Sequence, residues 1–412
     1  MCKLNALMCF SMATLAAVIQ PGCSSGEGDP GADTSGDTDS ETDSDTNRDT
    51  NRDTESDTET AADSNTVRDS TTDSDTGFDT ATGADTESTT ESTTESTLSG
   101  QYPGDVNIED DPAVLFHDDF ETGWGRWDAP QSDTPYLTMQ NGNAAHSGTG
   151  YLQSRVTTAD LETTEYISSA SRVAFARQDE IFWRFYARMP EVAANPHHWV
   201  RVSAGSDGWE SSGLANTVPP GDEGFWFDFD ISNDDVFNFY VYWHEMRSGR
   251  CNDGSVTPGC EGDQGTTYYY GNMFRPPEQQ SYPRDTWFCI EMRARANAPS
   301  QHTGELTFWI DDQLVGDYRP GYPDGTWLRD SFHTGGCTFS ACTEPVPFEG
   351  FNFRTSADVG FKSVILDAYY ERGSSATKRA ELESRGLTVS DNQTIYYDDI
   401  VVATRRIGCR VQ

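Results

Sequence analysis

The chain has 412 residues and a formal net charge of −40, from 68 acidic and 28 basic side chains. So acidic a protein repels the phosphate backbone, which argues against nucleic acid as a partner. The length exceeds that of one ordinary domain, and the composition changes near residues 23 and 100.

The first 23 residues have the pattern of an export signal. Lys3 provides a positive start, and the apolar run Ala6 to Ile19 is too short to span a bilayer. Gly22 before Cys23 resembles a bacterial lipoprotein cleavage site, although the two residues before Gly22 depart from that motif. We therefore expect an exported protein anchored by a lipid at Cys23, on the cell surface or outer membrane. Plain secretion and a retained anchor are the alternatives.

Residues 24–100 form an Asp/Thr/Ser-rich segment with 22 acidic side chains against three arginines. Such a segment cannot bury enough apolar surface to offset its loss of entropy on folding, and its like charges repel one another. We expect a disordered acidic linker that holds the following domain away from a membrane surface, or a solubilising tail.

Residues 101–412 have the composition of one globular domain with a net charge of −22. An even number of cysteines in an exported domain predicts disulfides, and proximity favours three particular pairs among the 15 possible pairings. A zinc site is the competing interpretation. The favoured pairs are Cys251 with Cys260, Cys337 with Cys342, and Cys289 with Cys409.

The pattern of this domain is nearly all β. Alternating apolar and polar residues, rich in aromatic and β-branched types, recur between turn signals and predict an antiparallel β-sandwich or jelly roll. One helix is expected at Thr377 to Arg385, capped by Ser375 and ended by Gly386. The clearest predicted strands span 181–188, 198–202, 224–231, 236–244, 286–293, 304–310, 363–369 and 394–402.

The two ends of the domain and one internal hairpin carry a resemblance to a known fold family. Phe116 to Glu121 and Tyr396 to Ala403 resemble the terminal strands of concanavalin A-like jelly rolls. Trp287 to Asn297, followed by Gly304 to Val315, is similar to an internal hairpin of those domains. The nearest group is the fungal cellulose-induced protein with its bacterial relatives, which are similar to glucuronan lyases. The resemblance implies a sandwich that acts on or binds polysaccharide, and its motifs specify fold better than activity.

The strand 236–244 is the best candidate for chemistry. Its polar face presents Asn238, Tyr240, Tyr242 and His244, while the apolar residues between them face the opposite side. Elimination of a uronate glycan needs a cation or amide on the carboxylate, a Tyr or His as base, and a Tyr hydroxyl as acid. We therefore predict Tyr240, Tyr242 and His244 as catalytic residues, with His198 of another predicted strand as a fourth.

Substrate binding is assigned to neighbouring strands, because arginine binds both oxygens of a carboxylate. One neighbouring strand offers Arg184, Tyr186 and Arg188, and the next offers Arg201; Asn238 completes the predicted set.

Other functions remain open. The same aromatic residues suit a non-catalytic sugar-binding or adhesion module of the same fold. Asp228 and Asp230 lie on one face of a strand and could suggest glycoside hydrolysis by paired carboxylates. A structural surface protein without a ligand is the third alternative. We expect a monomer.

Carboxylates near the first and last strands predict a structural calcium ion. Asp118, Asp119 and Glu121 lie near the first strand, and Asp398 and Asp399 lie near the last. Terminal strands are neighbours in a jelly roll, so these hard oxygen ligands could converge.

Overall fold

A computed structural model describes residues 97–128, 135–209, 214–232, 236–250, 268–277, 282–336 and 344–411. The predicted signal, Cys23 and the acidic linker up to residue 96 lie outside the described residues. So do four cysteines of the predicted disulfides, Cys251, Cys260, Cys337 and Cys342.

The described residues form two sheets, in agreement with the predicted all-β antiparallel sandwich. The strands in chain order are β1 (Val114–Asp118), β2 (Leu137–Asn141), β3 (Gly150–Thr157), β4 (Tyr166–Gln178), β5 (Glu180–Arg188), β6 (His198–Gly205), β7 (Gly224–Ile231), β8 (Phe237–Tyr242), β9 (Asn272–Arg275), β10 (Phe288–Arg295), β11 (Glu305–Ile310), β12 (Gln313–Tyr318), β13 (Asp324–Leu328), β14 (Ser331–Thr334), β15 (Val346–Pro347), β16 (Gly360–Glu371) and β17 (Asn392–Ala403).

Sheet A has the order β12-β11-β10-β5-β17-β3-β2, with β1 also paired to β17. The pairing of β1 with β17 confirms that the terminal strands are neighbours, and β10 with β11 confirms the predicted hairpin. Sheet B has the order β15-β13-β14-β9-β8-β7-β6-β16-β4. Its ladders are antiparallel except for β9 with β14.

The core lies between the inner faces of the two sheets. Period-two alternation places every second residue of a strand there. Phe225, Phe227 and Phe229 of β7 and Phe239 of β8 are fully buried in this core, together with Trp183 of β5 from the opposite sheet. The sequence pattern therefore decides which side chains are left to face outward.

The helices are α1 (Leu98–Gln101), α2 (Thr158–Thr163) and α3 (Arg372–Ser384). The predicted helix ends where expected, with Gly386 at φ +80°, but begins earlier, at Arg372. Ser375 is consequently a buried residue inside the helix and not its cap, because β16 runs directly into α3. No helix among the described residues is both long and apolar enough to span a membrane.

Residues 97–111 and 404–411 cover the outer face of sheet A. Leu98 and Ile108 are fully buried against Phe182 of β5 and Ile407. The amide of Ile407 donates to Glu291 of β10 at 2.7 Å. The packed domain thus begins before the predicted boundary at residue 101, since Leu98 already belongs to it.

The disulfide between Cys289 of β10 and Cys409 confirms one predicted pair and holds the C-terminal segment on sheet A. It closes a loop with a sequence separation of 120 residues. A cross-link that closes a long loop lowers the entropy of the unfolded chain, so it stabilises the native state.

Replacing this disulfide should therefore lower stability. We expect the double variant Cys289→Ser/Cys409→Ser to lose about 2–5 kcal/mol of unfolding free energy in urea titrations. Each single variant, which leaves one unpaired thiol, should lose a similar amount. An unchanged urea midpoint in the double variant would contradict this role.

Candidate functional site

The outer face of sheet B gathers polar and aromatic residues from its central strands. On β7, Trp226, Asp228 and Asp230 alternate with the core phenylalanines, and on β8 Asn238 and Tyr240 do the same. The ladder sets Asp228 opposite Tyr240 and Asp230 opposite Asn238. The neighbouring strands β6 and β16 add His198, Arg201, Asp367 and Tyr369.

Two carboxylates of β7 bind the arginine and histidine side chains of β6. Arg201 Nε lies 2.7 Å from Asp228 Oδ1, and His198 Nδ1 lies 3.0 Å from Asp230 Oδ2. The backbone amide of Trp199 donates to the other oxygen of Asp230 at 2.8 Å. Asp228 and Asp230 are almost fully buried, so these charges depend on one another for their stabilisation.

Four rings form a row that crosses the strands of sheet B. Tyr240 of β8 lies 4.9 Å from His198 of β6, which lies 5.9 Å from Tyr369 of β16. Tyr369 lies 6.0 Å from Tyr166 of β4, whose surface is about half exposed at 51%. We call Tyr240, His198, Tyr369 and Tyr166 the ring row.

A second, buried layer of rings supports this row. Trp226 stacks on Tyr242 with their centroids 4.3 Å apart, and Arg201 lies over the Trp226 ring at 4.1 Å. Tyr240 meets Tyr242 edge to face at 5.7 Å. Trp226 and Tyr242 are only 5% and 4% exposed, so they position the outer groups and offer little free surface themselves.

Burial controls the protonation of these groups. It raises the pKa of Tyr240, with Tyr242 adding to the effect, so the phenol stays protonated at neutral pH. It also lowers the pKa of His198, but Asp230 and Asp228 outweigh it and the net shift is upward. Burial raises the pKa of Asp367 to about 6.

The predicted site residues divide between the two sheets. Tyr240, Tyr242, His198, Arg201 and Asn238 come together on sheet B as described above. The prediction that 181–188 is a neighbouring strand is wrong, because β5 lies in sheet A, paired with β10 and β17.

The three residues predicted on β5 therefore lie on the opposite side of the molecule. Arg184 is fully buried and bonds Asp105 at 2.6 Å. The Tyr186 hydroxyl accepts from the backbone amide of Arg410, and Arg188 binds Asp285.

His244 is not in register with the two tyrosines of β8. The strand ends at Tyr242, and the ring of His244 packs at Gly221 and Thr355. Its buried Nε2 has no hydrogen-bond partner within the described segments. The alternation expected over 236–244 thus stops two residues early, at the turn after Tyr242.

The carboxylates at the end of β1 and directly after it act as acceptors for neighbouring donors. Asp118 accepts from the indole of Trp127 at 2.8 Å, and Asp119 accepts from the amide two residues on. Glu121 accepts from both amides of residues 149–150 at 2.5 Å.

The two carboxylates of β17 also have protein donors. Asp398 accepts from the amide of His146 at 2.7 Å, and Asp399 binds the side chains of Ser147 and Arg410. Burial, reinforced by Asp399, raises the pKa of Asp398 to about 8. Asp398 and Asp399 share donors on His146 and Ser147, and the calcium ion stays a prediction.

Sequence reasoning missed Trp226, Asp367, Tyr369 and Tyr166. Trp226 lies in a strand rich in aromatic residues, where only the two aspartates indicate an outward polar face. Asp367 and Tyr369 alternate in 363–369, and that period was the available signal for their common face. Their proximity to His198 depends on the order of strands, which no local pattern contains.

Comparisons with known proteins give similarity of structure only. No protein family and no curated protein matches the sequence. Among solved structures, an endo-β-1,4-glucuronan lyase from the fungus Trichoderma reesei is 13% identical with a TM-score of 0.37, covering 71% of this chain and 96% of its own. The alginate lyase vAL-1 from Chlorella virus is 10% identical with a TM-score of 0.43, covering 71% and 100%. The cellulose-induced protein Cip1 is 12% identical with a TM-score of 0.36, covering 71% and 99%.

These neighbours are polysaccharide lyases and a cellulose-induced protein, which is the group that the sequence motifs resemble. At such identities and scores they assign no activity to this chain. The sandwich fold rests on the sheet order and register described above.

The buried pair of Arg184 and Asp105 should act in stability alone. Asp105→Asn leaves a buried guanidinium without its counter-charge, and we expect a loss of roughly 3–5 kcal/mol in urea unfolding. The matched control Arg188→Met removes a partly exposed pair with Asp285 and should cost less than about 1 kcal/mol. Equal losses in the two variants would show that the burial of Arg184 carries no energetic weight.

The protonation of Asp367 should make stability depend on pH. Its pKa rises from 3.8 to about 6 on folding, because burial and the charge of Asp228 outweigh the attraction of Arg201 and His198. The folded state therefore holds a proton that the unfolded state has lost, and stability falls as pH rises from about 4 to about 6. Asp367→Asn should remove this dependence and stabilise the protein by up to about 3 kcal/mol at pH 7.

Urea titrations at pH 4, 5, 6 and 7 on both proteins measure the effect. Asparagine keeps the acceptor that Ser168 uses on Asp367, so the comparison isolates the charge. Parallel pH curves for variant and wild type would contradict the shift.

Proposed function

We propose that the outer face of sheet B binds polysaccharide along the ring row. The observation that carries this proposal is the row itself, four neighbouring rings from β8, β6, β16 and β4 laid across the strands. Aromatic rings stack on the apolar faces of sugar rings, and a series of them at regular spacing accommodates successive sugars of one chain.

The polar groups beside the row provide hydrogen bonds for sugar hydroxyls. Arg201 shares strand β6 with His198, and Asp230 and Asp367 lie on the adjoining strands. Bonds with Asp228, His198 and Ser168, respectively, fix the positions of Arg201, Asp230 and Asp367 before a ligand arrives, which lowers the entropic cost of binding. The face therefore combines flat apolar contact with oriented acceptors and donors.

β-Elimination of a uronate glycan is the second candidate. The specific support is Tyr240, whose raised pKa keeps its hydroxyl protonated and suitable as the acid for the leaving oxygen. The proton at C5 would pass to His198 in its neutral form, and the electron pair from the C–H bond would expel the O4 substituent. Arg201, already bonded to Asp228, would contribute charge to the uronate carboxylate.

The test of binding uses the full chain and a panel of polyuronates and neutral glucans, measured by pulldown and affinity electrophoresis. Tyr369→Ala and Tyr166→Ala should each weaken retention by about 3- to 10-fold, the value of one stacking contact. Tyr322→Ala removes another exposed tyrosine, outside the ring row, and should leave retention unchanged. Equal retention by all three variants would contradict the location of the site.

The same mixtures distinguish the reactions. New ultraviolet absorbance from unsaturated uronates, lost in Tyr240→Phe while retention persists, would establish elimination. New reducing ends without absorbance would indicate hydrolysis, and retention with neither would leave a carbohydrate-binding module. No retention by the folded protein would leave the structural interpretation.

We also propose that the protein is exported and anchored by a lipid at Cys23. A domain held on a cell surface meets polymers too large to enter the cell, which suits a polysaccharide ligand.

A further inference from the structure

His198, Asp228 and Asp230 form a cluster whose arrangement the polysaccharide proposal does not explain. One ligand atom from each residue lies within 4.8 Å of the others, and this is the one such group of three found in the described part of the chain. His198 Nδ1 is 3.0 Å from Asp230 Oδ2 and 3.4 Å from Asp228 Oδ2.

These distances fit ligands of a single ion. Nitrogen and oxygen ligands at about 2.1 Å from a zinc ion are roughly 3.0–3.4 Å from each other in octahedral or tetrahedral geometry. An imidazole with two carboxylates is also a common donor set for divalent first-row metals.

Each carboxylate is oriented by a protein donor, and both Oδ2 atoms lie beside His198 Nδ1. Arg201 donates to both oxygens of Asp228, from Nε to Oδ1 at 2.7 Å and from Nη2 to Oδ2 at 3.2 Å. The Trp199 amide donates to Oδ1 of Asp230 at 2.8 Å. Partners that fix the far side of a ligand are typical of metal sites and pre-organise them.

An independent observation comes from Asn238. This side chain is 1% exposed and lies on the same face, directly opposite Asp230 in the ladder. Its Nδ2 donates to the carbonyls of Asp230 and Val236, whereas its buried Oδ1 accepts nothing from the residues that the structure describes. A buried acceptor without a partner is costly, and an amide oxygen on the same face as two carboxylates is suited to a cation.

We propose that His198, Asp228 and Asp230 bind a divalent first-row metal ion, Zn²⁺ by the donor set, with the buried Asn238 Oδ1 of the same face as a further oxygen ligand. Three protein ligands leave a coordination position open, as in zinc sites that bind a water or a substrate oxygen. The site stands on its own geometry and does not depend on polysaccharide binding.

The experiment measures Zn²⁺ binding to the full chain by titration calorimetry, without any glycan. Millimolar Ca²⁺ is present throughout to occupy the carboxylates of residues 24–100. We expect one tight Zn²⁺ site in the wild type, lost in His198→Gln and in Asp230→Asn. The matched control is His302→Gln, which removes a histidine bonded to the single carboxylate of Glu245 and should keep the site.

A second measurement does not depend on the folding of variants. Zinc-edge X-ray absorption of the loaded wild type should show an oxygen and nitrogen shell that includes one imidazole and no sulfur. Absence of tight Zn²⁺ binding would overturn the proposal and leave protonated His198 as the counter-charge of the two aspartates. Binding that survives in both His198→Gln and Asp230→Asn, or a shell without imidazole, would overturn it as well.

Discussion

Strand β7 at the centre of sheet B is closed to water on both faces, and this constraint determines the rest of the site. All eight residues of β7 are buried, although half of them face the core and half face outward. An outward carboxylate in such a strand cannot rely on solvent, so it must find partners within the protein. The bonds of Asp228 with Arg201 and of Asp230 with His198 are the result, and they fix the geometry of the whole face.

The outer faces of the two sheets differ in the partners that their buried polar groups bind. On sheet A, polar groups of β5 and β10 bind the chain's own terminal segments: Arg184 binds Asp105, and Glu291 accepts from Ile407. On sheet B the charged groups of β6 and β7 bind one another and leave a row of partly exposed rings. Only the second arrangement presents an ordered surface to another molecule.

Local patterns in the sequence predict the strands and the direction of their side chains. The alternation in 224–231 and 236–244 assigned Phe227, Phe239, Asp228 and Tyr240 to the correct faces, because side-chain direction follows from period two alone. The family motifs likewise indicated that the first and last strands are neighbours.

The order of strands within each sheet is not a local property, and the errors arise there. Arg184 lies on β5, the strand that precedes β6 in the chain. The chain crosses between sheets after β5, so the Arg184 guanidinium is buried on the far side of the sandwich. Tyr369 and Tyr166 complete the ring row from strands distant in sequence from β8. Long-range pairings of this kind depend on the packing of both sheets together.

The covering of sheet A also fixes where the preceding chain joins the domain. Thr97 contacts Gly408 of the C-terminal segment, and Leu98 is fully buried. Whatever length of chain comes before residue 97, it attaches at the back of the sandwich relative to the ring row. The point at which the preceding chain joins the domain and the ring row therefore lie on different sheets of the sandwich.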